Sequence, residues 1–273
     1  MSFIFVLLFL VGLTQIAGYS NTNALLQKAK ESCSGALSYR YDDDILIVDW
    51  TTNSTSRVLL VFNEHARERV TGELALRVIQ SLKEWSPPVS VTIIPVLNVW
   101  GRQRVEAGSE CQRKNQRRVD TNRNFWTKKH HYSKGSEEYE GSSPISEKES
   151  KLIARELVNT TRYVNVHSGE FSLYMPYDAS SQEPPNAKHM RSQLQKWSKH
   201  CPQCAVGSAA TVSNYKAYGT SSDWAIGMGV SESYTFEIYG SNSRHCNEMF
   251  NPPPDWLTST LDPWLFIMKD VCT

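Results

Sequence analysis

Short runs of β-branched and aliphatic residues recur along the chain at Ile45–Val48, Arg57–Phe62, Val89–Leu97, Arg162–Val166 and Tyr234–Ile238. Several are apolar at successive positions, the pattern of strands buried on both faces. Between them the period changes. Thr71–Leu82 carries Leu74, Val78 and Leu82 at helical spacing, and Ser146-Glu147-Lys148-Glu149 has the form of a capping box ahead of Leu152, Ile153 and Leu157. Strands alternating with helices predict an α/β fold with the sheet covered on both faces. Proline pairs at Pro87-Pro88, Pro184-Pro185 and Pro252-Pro253 punctuate the chain, and there is neither a repeat nor a low-complexity stretch, so a single domain is expected. Ligands of such sheets bind just beyond the carboxyl ends of strands.

Residues 1–20 differ from the rest. An apolar run from Phe3 to Leu13 gives way to small and polar residues around Ala17-Gly18-Tyr19-Ser20, too short to span a bilayer and in the order of a signal peptide. A secreted domain over residues 21–273 follows, with no membrane role beyond export. The six cysteines form an even set, read in that setting as disulfides, up to three of them. Cys201-Pro-Gln-Cys204 has redox spacing, but with no second such pair in the sequence structural bridging is the better reading. Glycosylation sequons at Asn53 and Asn159 agree with export. A net charge of +1 over 273 residues offers nothing to nucleic acid or to an acidic membrane surface.

The chemistry-bearing residues follow the predicted strands. His65 and Glu68 stand three apart just after Arg57–Phe62, and His167 ends the run Arg162–Val166. Two imidazoles and a carboxylate are a donor set for zinc, which leaves a fourth position open when it is catalytic. Glu237 is a charge inside the apolar run Tyr234–Ile238, where it needs either a partner or a task.

With Val119-Asp120-Thr121-Asn122-Arg123-Asn124-Phe125 added to His65-Ala66-Arg67-Glu68, the sequence resembles the zinc carboxypeptidase family, the match running in order from about Arg57 to about Gly240. The resemblance implies a mixed, mostly parallel central sheet and one zinc ion held by His65, Glu68 and His167. Asp120 would orient a ligating histidine, and Asn122 and Arg123 would hold the free carboxylate of a peptide or protein C-terminus. Arg113 would polarise the scissile carbonyl, with Arg117 as the substitute. Arg67 falls on the substrate side. Tyr215 aligns with the tyrosine that folds over bound substrate, Tyr218 being the competing choice. Glu237 aligns with the general acid/base that takes the proton of a zinc-bound water. The implied reaction is hydrolysis of the last peptide bond by a monomeric enzyme.

Ser222 aligns with the floor of the family's specificity pocket and Asp178 with one wall. An acidic wall leans towards C-terminal Lys or Arg. Residues 21–56 are too few for the usual N-terminal elements and an inhibitory pro-domain together, so no large activation segment is expected. Two other functions fit parts of the pattern: a non-catalytic binding module, which has no use for Glu237, and a zinc amidase acting on another carboxylate-bearing substrate.

Overall fold

The computed structural model describes residues 18–128 and 130–273. The leader expected over residues 1–20 therefore lies outside the described residues as far as residue 17. Tyr19 and Ser20 belong to the folded body: the Tyr19 hydroxyl donates to the Pro252 carbonyl, and the Ser20 N–H donates to Glu73 Oε1.

Among the described residues eight strands form one sheet: β1 (Leu37–Asp42), β2 (Ile45–Trp50), β3 (Arg57–Phe62), β4 (Ser90–Ile94), β5 (Arg162–His167), β6 (Glu170–Met175), β7 (Ala205–Ser208) and β8 (Glu232–Tyr239). Their order is β1-β2-β4-β3-β5-β8-β6-β7. The pairs β3·β4, β3·β5, β5·β8 and β6·β7 are parallel, while β1·β2, β2·β4 and β6·β8 are antiparallel. The sheet is thus mixed and mostly parallel. Val58 through Phe62 are all buried, as both faces of a central strand require. The edge strand β1 keeps only Leu37 fully buried, so it lacks the apolar run that marks the others.

The covering helices are α1 (Thr22–Glu31), α2 (Arg69–Trp85), α3 (Val99–Glu106), α4 (Lys148–Glu156), α5 (Ala187–Trp197), α6 (Ala209–Val212), α7 (Ser221–Gly227), α8 (Cys246–Phe250) and α9 (Leu257–Val271). The capping box expected at Ser146 does not form. Asn124 Oδ1 accepts from the N–H groups of Ser146 and Glu147, and the Ser146 hydroxyl donates to Glu147 Oε1. Glu149 instead accepts from Asn115.

Two disulfides form, Cys111–Cys246 and Cys201–Cys204. The third bridge left open by the sequence is absent: Cys33 and Cys272 are thiols, and burial pushes that of Cys272 up to about 12.

Strand order positions the site. Because β3, β5 and β8 run parallel side by side, their carboxyl ends lie together, with Phe62 opposite Val166 and His167 opposite Glu237.

Candidate active site

After β3 the chain turns sharply before α2. Asn63, at a φ of 51°, donates through Nδ2 to the carbonyls of His65 and Glu68, and its Oδ1 accepts from the fully buried Arg102. Gly101 backs this turn: a Cβ there would stand 2.7 Å from Ala66 Cβ, so no larger residue fits without displacing it. The turn is thus pinned from its own side chain and from α3. It leaves His65 and Glu68, 4% and 2% exposed, facing the sheet end.

There His65 Nδ1 lies 2.8 Å from Glu68 Oε1, His167 Nδ1 lies 3.0 Å from Glu68 Oε2, and the two Nδ1 atoms are 3.1 Å apart. The three donors fall within 4.8 Å of one another. Donors on a tetrahedral zinc with bonds of about 2.0–2.2 Å stand roughly 3.3–3.6 Å apart, so these residues fit the ion with an outward shift of a few tenths of an ångström. Their charges fit too. Burial disfavours ionisation of Glu68, but both histidines outweigh it and hold the carboxyl below its usual range. Burial lowers His167, and Glu68 overrides that to raise it to about 9. The site calls for positive charge, supplied by a proton or by a metal.

The outer nitrogen of His65, Nε2, meets Asp120 Oδ1 at 3.2 Å, which directs Nδ1 and its lone pair inward. Asp120 is fully buried, its Oδ1 also accepts from the Asn122 N–H, and Oδ2 accepts from Arg113 Nε and Nη2 at 2.9 and 2.7 Å. Burial would raise its carboxyl; Arg113 and His65 hold it well below the ordinary range. Arg113 in turn presents Nη1 3.2 Å from His65 Nδ1. Arg117 is exposed and pairs with Glu147, so the structure brings Arg113 and not Arg117 to the centre.

A cavity of about 390 Å³ opens over these groups, lined among others by Asn122, Arg123, Asp178, Thr220, Tyr215, Glu170, Tyr174 and Phe250. Glu237 reaches it from β8, with Oε2 unpartnered. Burial first, and Glu68 next, push Glu237 up to about 8, in the range suited to accepting and returning a proton near neutrality. Asn122 spends its Oδ1 on Ser221 and points Nδ2 at His167 Nε2, 3.4 Å away. Arg123 is 6% exposed, and its Nη2 lies 3.3 Å from Glu138 Oε1.

Among the remaining expected residues, Asp178 is buried in the cavity wall, and burial raises its carboxyl. Ser222 is not brought to the cavity. The N–H of Ser221 is tied to Asn122, α7 starts there, and the Ser222 hydroxyl pairs with Ser233 Oγ at 3.1 Å; Thr220 stands at the wall instead. Arg67 makes a bidentate pair with Glu137 at 2.9 and 3.1 Å and lies over the Phe250 ring. Tyr215 lines the cavity and donates its hydroxyl to Glu138, whereas Tyr218 stacks on His130 elsewhere.

Four acidic residues escaped sequence reasoning. Glu137, Glu138 and Glu170 lie in no motif. Glu64 sits beside a metal-ligand candidate and is fully buried, accepting from Asn165 Nδ2 at 2.6 Å with Oε2 3.8 Å from His167 Nε2; its signal was a charge between residues that must pack.

Comparison with known proteins gives a consistent picture. The sequence model of the family described as zinc carboxypeptidase matches residues 44–263. Carboxypeptidase B of Rattus norvegicus is 29% identical over 183 residues, 58% of this chain and 43% of that protein, so the chain spans less than half the length of this curated relative. Among solved structures, bovine thrombin-activatable fibrinolysis inhibitor in complex with tick carboxypeptidase inhibitor superposes with a TM-score of 0.80 at 20% identity, covering 94% of this chain and 97% of that one. Carboxypeptidase A from Helicoverpa armigera superposes with a TM-score of 0.80 at 21% identity, covering 94% and 73%. At these identities the superpositions establish the fold.

Proposed function

Because this chain belongs to the zinc carboxypeptidase family, we propose that it is a secreted zinc exopeptidase that removes the last residue of peptides and proteins, preferring Lys or Arg. The observation that carries the reading is one cavity lined by a His, Glu, His donor set, by Glu237 and by the buried guanidinium of Arg123. A planar cation beside a hydrolytic centre is what recognition of a terminal carboxylate needs.

His65, Glu68 and His167 would hold one zinc ion, which supplies Lewis acidity and lowers the pKa of a water. Arg123 fixes the substrate's terminal carboxylate and so sets which peptide bond reaches the centre. Arg113, held bidentately on Asp120, presents Nη1 as a donor to the scissile carbonyl oxygen as charge develops there. Glu237 accepts the proton of the attacking water and returns it to the leaving amine. Tyr215 closes over the bound residue. Asp178 faces the terminal side chain, and a cation there favours the ionised carboxylate that burial opposes.

The test is release of free amino acid by the zinc-loaded chain from peptides ending in Lys, Arg, Leu, Phe or Glu, alongside the same peptides with amidated C-termini. Chelator-sensitive release from the free acids alone, fastest for Lys or Arg, is expected. Equal cleavage of the amides would remove the exopeptidase reading, and release with no basic preference would remove the role of Asp178.

A further inference from the structure

The cavity has a second acidic wall that the reading above does not use. Strands β6 and β8 pair antiparallel with Ser172 opposite Glu237 and Glu170 opposite Tyr239. Alternation along a strand puts Glu170, Ser172 and Tyr174 on one face, shared with Glu237. Glu170 is then the diagonal neighbour of the general base, about 7–8 Å away between backbones.

The Glu170 carboxyl is held in place. Its Oε1 accepts from the Tyr174 hydroxyl at 2.5 Å and from the Ser172 hydroxyl at 3.0 Å. Tyr174 lies four residues further along the same face and also lines the cavity, so this bond draws the carboxyl along the strand towards the reaction centre. Oε2 receives no hydrogen bond, and no basic side chain among the described residues forms an ion pair with Glu170. Glu137 and Glu138 contrast with it, each already matched to an arginine. Beside it the Phe250 ring packs against Gly169, where a Cβ would stand 3.1 Å from Phe250 Cε1, and the Arg67 guanidinium lies 4.3 Å from the ring centroid.

The cavity therefore has a direction. Arg123 and Asp178 stand where the terminal residue is held, and Asp178 follows the far end of β6; Glu237 lies opposite the middle of that strand, and Glu170 begins it. A peptide anchored by its carboxylate at Arg123 and cut beside Glu237 passes its preceding residue along the Glu170 end. We propose that Glu170 is a specificity-determining residue for the position just before the scissile bond, selecting a cationic side chain there. The preferred substrates are peptides whose last-but-one residue is Lys or Arg. The proposal rests on the exopeptidase reading of the same site.

The experiment uses peptides with the same C-terminal residue and Lys, Ala or Glu before it, measuring kcat/KM for the zinc-loaded chain. The expected order is Lys over Ala over Glu, with Lys exceeding Ala about three- to fivefold, as a half-exposed ion pair provides. Glu170→Gln should bring Lys and Ala level, and Glu170→Lys should place Glu above Lys. That inversion separates side-chain recognition from a structural role of Glu170, which would slow all three peptides alike. A wild-type chain that cleaves all three at equal rates, or a charge-reversed variant that keeps the wild-type order, overturns the proposal. Failure of the exopeptidase reading looks different: no terminal residue is released from any of the peptides. Should either variant fail to fold, the wild-type order alone decides, since a flat profile is incompatible with a carboxylate acting there.

Discussion

The Glu138 carboxylate lies on the guanidinium of Arg123, with Oε1 3.3 Å from Nη2, and the same oxygen accepts the hydroxyl of Tyr215. Arg123, expected to receive a substrate's terminal carboxylate, and Tyr215, expected to fold over the substrate, thus already hold a carboxylate from the chain itself. The segment that brings it is pinned nearby: Glu137 pairs with Arg67, and the Ser136 carbonyl accepts from Lys114. Binding of a peptide terminus must displace Glu138, which lowers apparent affinity by the fraction of time the cradle is free. Glu138→Gln should lower KM about three- to tenfold, read from steady-state kinetics on one peptide; an unchanged or higher KM would show that Glu138 does not compete.

Asp120 both directs His65 and anchors Arg113. Asp120→Asn keeps the shape but removes the charge, so zinc affinity should fall about 10–100-fold, the usual effect of losing a carboxylate behind a ligating histidine. Competition with a chromogenic chelator measures it. Retention of full affinity would mean that His65 is oriented by packing alone.

Glu237 coordinates nothing in the donor set and has an unpartnered oxygen. Glu237→Gln should therefore leave zinc stoichiometry at one while lowering kcat by about 10²–10⁴-fold, the range for removing a general acid/base. Metal analysis of the same preparation checks both halves together.

Asp178, which is buried, and Asp223, which is half-buried, form an acidic pair. Burial, then the charge of Asp178, push Asp223 up to about 8, and burial raises Asp178. The folded state binds this proton more tightly than the unfolded chain, whose aspartates titrate near about 3.9. The resulting stabilisation is complete below about pH 4 and is lost as pH rises through about 8. The two oxygens of Asp223 accept separately from the backbone N–H groups of Asp178 and Ala179; Asp223→Asn keeps an acceptor for one of them and should flatten that loss. Urea unfolding at pH 5 and pH 8.5 decides it, an equal drop in both proteins counting against the pair.

The Cys111–Cys246 bridge closes a loop of 135 residues and ends two positions before Arg113. Replacing both cysteines by serine should cost about 2–5 kcal/mol in denaturant unfolding. The variant should also lose kcat before it loses zinc, because Arg113 moves while His65 and Glu68 stay in the pinned turn after β3 and His167 stays on β5. Parallel loss of both would place the bridge's effect on the whole fold.

What the sequence made legible follows burial. Strands β3, β5 and β8 are covered on both faces, and their apolar runs announced them to within a residue or two. Strand β1 pairs on one side only and exposes four of its residues, so Leu-Ser-Tyr-Arg-Tyr-Asp carries no period to read. β7 is four residues long and includes a glycine. At the site, residues in a fixed motif were legible because the chemistry restricts both type and spacing. Glu138 and Glu170 were not: an acidic residue in a polar stretch looks like any solvated charge until the fold sets it against Arg123 or beside Glu237. Ser222, expected at the pocket floor from its place in the order of residues, lies off the cavity lining because α7 turns its hydroxyl to Ser233.

Strand β8 lies between β5 and β6 although it follows both in the chain. While the polypeptide is being synthesised, β5 can join β3 but the strand that separates it from β6 is still missing, and the gap closes only when residues up to Tyr239 have left the ribosome. Glu237 arrives on that last strand. The group proposed as general acid/base is thus the last part of the site to be placed, and a nascent chain that already displays His65 and His167 lacks it until the sheet is complete.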